Sequence, residues 1–114
     1  MRFSVLVAVV PEADEDKALA SAKEAGAGSV TVLKGRGQGL EEQKTFFGLT
    51  YEGAESVLLF VLERRLSVRV LKNLHTDLDL QHSDGYAFSF PVEHLAGINF
   101  KELSHFEESV KEEL

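Results

Sequence analysis

The sequence predicts an α+β sandwich, one four-stranded antiparallel sheet with two helices on one of its faces. Three observations predict it. The runs Phe3–Val10 and Glu55–Leu62 are apolar almost throughout, as strands buried on both faces are. The segments Asp14–Ala25 and Arg64–Asp77 instead carry apolar residues at helical spacing. Glycine, proline and polar clusters punctuate the chain into the order strand, helix, strand, strand, helix, strand. Right-handed crossovers turn that order into an antiparallel sheet with both helices on the same side.

The first strand runs from Phe3 to Val10 and stops at Pro11, which has no N–H for the ladder. Asp14 is placed to cap a helix whose first turn holds Glu15 and Asp16, on the favourable side of the helix dipole. Its stripe, Ala18, Leu19, Ala22 and Ala25, is small enough to lie close to a sheet, and Gly26 and Gly28 end it. The second strand opens at Ser29 and alternates Val30, Val32 and Leu33 with Thr31 and Lys34. After a lead-in at Thr45–Tyr51, the third strand follows. The second helix carries Leu66, Val70, Leu71, Leu74 and Leu78 on one face and Arg65, Arg69 and Lys72 on a face expected to be solvated. A loop over Leu80–Gly85 leads to the fourth strand, Tyr86–Phe90, closed by Pro91. From about residue 100 to 114 the chain reads as an amphipathic helix with Leu103, Phe106, Val110 and Leu114 on one side. Residues 1–114 thus form a single domain with a helical extension; two helices leave the second face of the sheet uncovered, and another subunit or the C-terminal helix is expected to cover it.

Composition narrows the function classes. Twelve basic against nineteen acidic residues give a net charge of −7, which argues against a nucleic-acid partner. With no cysteine there is no disulfide, thiolate metal site or thiol nucleophile. The apolar runs are too short to insert into a membrane, and no small-residue cleavage site follows the first one. The expectation is a cytoplasmic protein.

The most suggestive stretch is Lys34-Gly-Arg-Gly-Gln-Gly39, where glycines alternate at Gly35, Gly37 and Gly39. Glycines at alternate positions bare one side of the backbone to a ligand or a second chain. Lys34 and Arg36 supply positive charge beside it, and an anion is the matching ligand. The structural alternative is a hairpin whose glycines only permit twist and a bulge.

These residues also carry a resemblance. The runs Val32-Leu-Lys-Gly-Arg-Gly37, Thr45-Phe-Phe-Gly48, Val57-Leu-Leu-Phe-Val61 and Gly85-Tyr-Ala-Phe-Ser-Phe-Pro-Val92 fall in the order and spacing of PII-like nitrogen-regulatory proteins, over residues 3–97. The resemblance implies a ferredoxin-like fold, a homotrimer with inward-facing sheets, and a non-enzymatic signalling role. It further implies an adenine nucleotide as effector in clefts between subunits, and an unknown protein target contacted by the loop from Gly37 to about Phe47. By position it assigns Ser29 to the base, Gly35 and Gly37 to backbone lying against the ligand, and Gly85 to a second phosphate-side loop; Lys34, Arg36 and Gln38 beside them complete the candidate ligand set. The sequence departs from the family where phosphates are held. Gln81–Tyr86 has no lysine, and Glu93–Phe100 has no arginine. A desolvated triphosphate needs such partners, so weak ATP binding is expected, which leaves a less charged nucleotide, another anion or no ligand at all.

Other constellations carry less. His75, Asp77, Asp79, His82 and Asp84 crowd one stretch but match no metal-loop spacing, and a polar loop after a helix has this composition by default. His94 and His105 stand alone; Tyr51 reads as a strand residue and Phe46–Phe47 as packing. No local motif assembles a nucleophile. Two alternatives share the topology, a trimeric metal-responsive protein of the copper-tolerance type and a small ferredoxin-like dimeric enzyme.

Overall fold

The structure, a computed structural model, describes residues 1–40 and 52–97. The expected helix at 100–114 and the lead-in at 45–51 lie outside the described residues, as do Tyr51, Phe46–Phe47 and His105. Among the described residues four strands and two α-helices follow in order: β1 (Phe3–Pro11), α1 (Glu15–Ala25), β2 (Thr31–Gln38), β3 (Glu52–Glu63), α2 (Arg64–Asp77) and β4 (Tyr86–Pro91). The sheet order is β2-β3-β1-β4, and every neighbouring pair is antiparallel. This is the ferredoxin-like βαββαβ arrangement.

Because side chains alternate along a strand, the register sorts the sheet into two faces. Leu6, Ala8 and Val10 of β1 and Leu58, Phe60 and Leu62 of β3 face the helices and are fully buried. They pack against Ala18, Ala22 and Ala25 of α1 and Leu66, Val70 and Leu74 of α2. The opposite face carries Val5, Val7, Val57, Leu59 and Val61 at the centre, Leu33 on β2, and Tyr86, Phe88 and Phe90 on β4. No helix of the described residues covers it: Val61 is 43% exposed, Phe88 46% and Phe90 48%. The three aromatic rings of β4 stack at centroid spacings of 6.4 and 6.3 Å.

Two helix details differ from expectation. Asp14 precedes α1 but its side chain caps nothing, because a 3-10 turn over Glu12–Asp14 already occupies the approach. At the other end Gly26 takes a positive φ of 117° and closes the helix, as expected. The capping carboxylate belongs to α2, where the buried Glu63 accepts from the N–H groups of Arg65 and Leu66 at 2.8 and 3.1 Å. Arg69 is not on a solvated face. It is half-buried against α1, with its guanidinium where a side chain on Gly26 would stand. One turn on, the Asn73 amide donates to the carbonyl and hydroxyl oxygens of Ser21 at 2.8 and 3.2 Å, so this flank of α2 is the α1 interface.

Phe60 is the largest fully buried side chain and lies at the centre of the core face. Phe60→Ala should cost about 3–5 kcal/mol, the usual loss for a buried aromatic that leaves a cavity. Urea denaturation of the two proteins measures it, and a loss below about 1 kcal/mol would show that this core is not closely packed.

Candidate functional site

The glycine stretch is more regular than a ligand loop. β2 continues through Gln38, with Gly35 opposite Glu55, Gly37 opposite Gly53 and Gln38 opposite Glu52. Gly35 and Gly37 are therefore strand residues that bare the open face of the sheet. A side chain at Gly37 would collide with the carboxylate of Glu55, which lies over it. Lys34, Arg36 and Gln38 alternate to the helix-side face, away from the bare backbone.

On that face Lys34 already has partners. Its ammonium donates to the carboxylate of Glu15 and to the hydroxyl of Ser56 at 3.3 Å, and it stands 3.8 Å from Glu12. Ser56 is fully buried opposite Lys34, and its hydroxyl donates to the same Glu15 oxygen at 2.6 Å. Three elements of the fold, α1, β2 and β3, meet in this network. The Lys34 ammonium, and secondarily the Ser56 hydroxyl, hold the Glu15 carboxyl below the usual carboxylate range. Reciprocally, the hydrogen bond to Glu15 raises the Lys34 ammonium above the usual lysine range. Arg36 is exposed, two residues further along the same face.

The other expected residues stand apart. Ser29 precedes β2 and lines a cavity of about 470 Å³ with Leu19, Lys23, Val30 and Phe60. It is eight residues from Gly37, roughly 26 Å along an extended strand. Gly85 is buried ahead of β4, where a side chain would press on the Val9 carbonyl at 3.2 Å and on Leu80 at 3.3 Å. β2 and β4 are the two edges of the sheet, with β3 and β1 between them. Gly35 and Gly85 are thus separated by three strand spacings, roughly 14 Å. One chain brings Lys34, Gly35, Arg36, Gly37 and Gln38 together and leaves Ser29 and Gly85 elsewhere. Glu12, Glu15 and Ser56 were not expected at this place. Ser56 had a legible signal, a hydroxyl on the core-facing side of an apolar strand, whereas its link to Glu15 depends on topology.

Among the described residues no group of three or more metal-ligating side chains comes together. His82 meets Asp79, at 3.0 Å, within the crowded stretch after α2. No helix among the described residues is long and apolar enough to cross a membrane.

No protein-family model matches the chain, and no curated protein matches it in sequence. Solved structures do match in shape. The ATP complex of Bacillus subtilis GlnK superposes with a TM-score of 0.66 at 18% identity, over 88% of this chain and 90% of that one. The fold is that of the PII-like proteins. CPII, a nitrogen-regulatory PII-like protein from Thiomonas intermedia K12 bound to ADP, AMP and bicarbonate, gives 0.63 at 15% identity, over 86% of this chain and 98% of that one. CutA1 from Oryza sativa has the same fold, with 0.64 at 16% identity, over 96% of this chain and 94% of that one. Within this PII-like fold the Glu15–Lys34–Ser56 network belongs to the chain's own side chains and needs no ligand to explain it.

The network makes a pH-dependent contribution to stability. The Glu15 carboxyl is depressed in the folded chain, so its contribution is present above the ordinary carboxylate range and is lost as pH falls through the lowered value. Glu15→Gln should destabilise the protein at neutral pH, and the gap to the parent should close as the solution is acidified through that range. Urea melts at several pH values measure this; a gap independent of pH would show that the carboxylate charge contributes nothing.

Proposed function

We propose that the chain is a non-enzymatic PII-like regulatory protein. It assembles as a homotrimer through the open face of its sheet and senses a small anionic effector in the clefts between subunits. Signalling to a protein target runs through the segment that follows β2. One observation carries this reading: the sheet has an apolar face that no described helix covers, with the candidate residues Gly35 and Gly37 on one edge strand and Gly85 ahead of the other. A second copy set against that face both buries it and brings one chain's β2 edge toward another's β4 edge. The PII-like neighbours that hold adenine nucleotides support the choice of effector class.

Ser29, Gly35, Arg36, Gly37, Gln38 and Gly85 are proposed as the contacts of that effector, together with Lys34. Both cations are exposed, but Lys34 would first have to leave Glu15, so Arg36 is the readier partner. A desolvated phosphate chain needs more positive charge than one guanidinium supplies. The effector is therefore a lightly charged one, an adenosine monophosphate or diphosphate or a small anion such as bicarbonate. The second reading, a trimeric metal-responsive protein of the copper-tolerance type, draws on the similarity to CutA1.

Calorimetry separates these readings. Each missing charge-assisted hydrogen bond forfeits roughly 1.5–3 kcal/mol, so ATP should bind more weakly than about 1 µM, with AMP or ADP at least as tight. Micromolar or tighter ATP affinity would show that other residues replace the missing cations. A tightly bound divalent metal with no response to nucleotide would favour the second reading.

A further inference from the structure

The Glu15 carboxylate already holds the place an incoming anion would want beside Lys34. It accepts from the Lys34 ammonium and, at 2.6 Å, from the Ser56 hydroxyl, while Glu12 lies 3.8 Å from the same ammonium. The partners differ in freedom. Ser56 is fully buried on β3, and the Glu15 side chain beside it is 20% exposed. The Lys34 side chain is 55% exposed on β2, an edge strand of the sheet. When Lys34 swings away, Glu15 keeps the buried hydroxyl as its donor, so the carboxylate is not left without a partner. Glu15 is the fixed member of the ion pair and Lys34 the movable one. The corner is also acidic. Glu12 and Asp16 act on the ammonium together with Glu15, and Glu55 lies over Gly37 on the opposite face of the strand. Lys34 and Arg36 face four carboxylates, so an anion arriving at the end of β2 first meets net negative charge.

We propose, resting on the effector reading above, that Glu15 sets the anion affinity of the β2 end: a ligand gains the Lys34 ammonium only by taking it from Glu15. The exchange is energetically within reach. An exposed ion pair shifts an equilibrium by only about two- to five-fold, and a phosphate monoester brings roughly twice the charge of a carboxylate. The coupling runs both ways. A ligand that takes Lys34 unties the start of α1 from β2, because the remaining Glu15–Ser56 bond joins α1 to β3 alone. Binding at the edge strand is thereby felt at the first helix. Glu15→Gln keeps the size of the side chain and removes its charge, so its two effects have opposite signs: lower stability at neutral pH and tighter anion binding.

The test titrates the full-length protein with AMP and, separately, with inorganic phosphate at neutral pH, following the backbone amides of Gly35 and Gly37 by NMR. Glu15→Gln should bind the probes about two- to five-fold more tightly than the parent. Asp14→Asn removes the same charge from a side chain that caps nothing, and should gain less than about 1.5-fold. In a Lys34→Met background the gain from Glu15→Gln should vanish. A gain that survives there, or that Asp14→Asn matches, would overturn the proposal, because the general field would then account for it. Equal affinities of parent and Glu15→Gln would overturn it too and leave the effector reading intact. If neither glycine responds to either probe in any of these proteins, the effector reading falls with it. Should Glu15→Gln not fold, Glu12→Gln takes its place. That side chain is 54% exposed, and a gain in the same direction is expected, its absence counting against the proposal.

Discussion

The structure depends on one constraint, a sheet whose central strands are apolar on both faces in a chain whose two described helices cover one. Leu6, Ala8, Val10, Leu58, Phe60 and Leu62 are sealed beneath α1 and α2. Val5, Val7, Val57, Leu59 and Val61 alternate with them on the same strands and have no such cover. A strand cannot change the inward side of its alternation without shifting register, and the shift would expose the sealed core instead. Exposed apolar patches of this kind mark surfaces for association. The aromatic stack on β4 extends the patch to the sheet edge, and the bare backbone at Gly35 extends it along β2, as far as the Glu55 carboxylate that lies over Gly37.

The same alternation decides what the glycine stretch does. Its glycines and its cations share five residues but point to opposite faces. Lys34 lies on the helix side beside Ser56, more than half exposed, where Glu15 neutralises it and ties the start of α1 to β2 and β3. This ion-paired corner is part of the fold, so an anion approaching the β2 end meets Arg36 first. Two roles therefore lie side by side in the sequence: Lys34 secures the fold, and Gly35 leaves its backbone open to close approach from the other side.

Much of this was legible because the patterns are local. The Arg64–Asp77 helix was marked at both ends, by the apolar spacing that begins at Leu66 and by the polar stretch after Leu78. The double-sided apolar strands carried the antiparallel order. What local pattern could not carry was pairing. Gly35 and Gly37 read as the start of a loop because glycine is a poor strand former, yet their partners Glu55 and Gly53 extend the ladder through them. Arg69 read as solvated because its neighbours in the sequence are polar, and only the packing of α1 against α2 places it over Gly26. The candidate ligand residues read as one site because most of them are consecutive and the resemblance joins the others to them by position. The strand order distributes them to opposite edges.

The central claim is that the open face is buried by other copies of the chain, and mass in solution tests it most directly. Sedimentation velocity at micromolar concentration should give a single species of about three times 12.6 kDa, unchanged on dilution through that range. A stable species at the mass of one chain would contradict the account, because the apolar face would then stand in water without a partner.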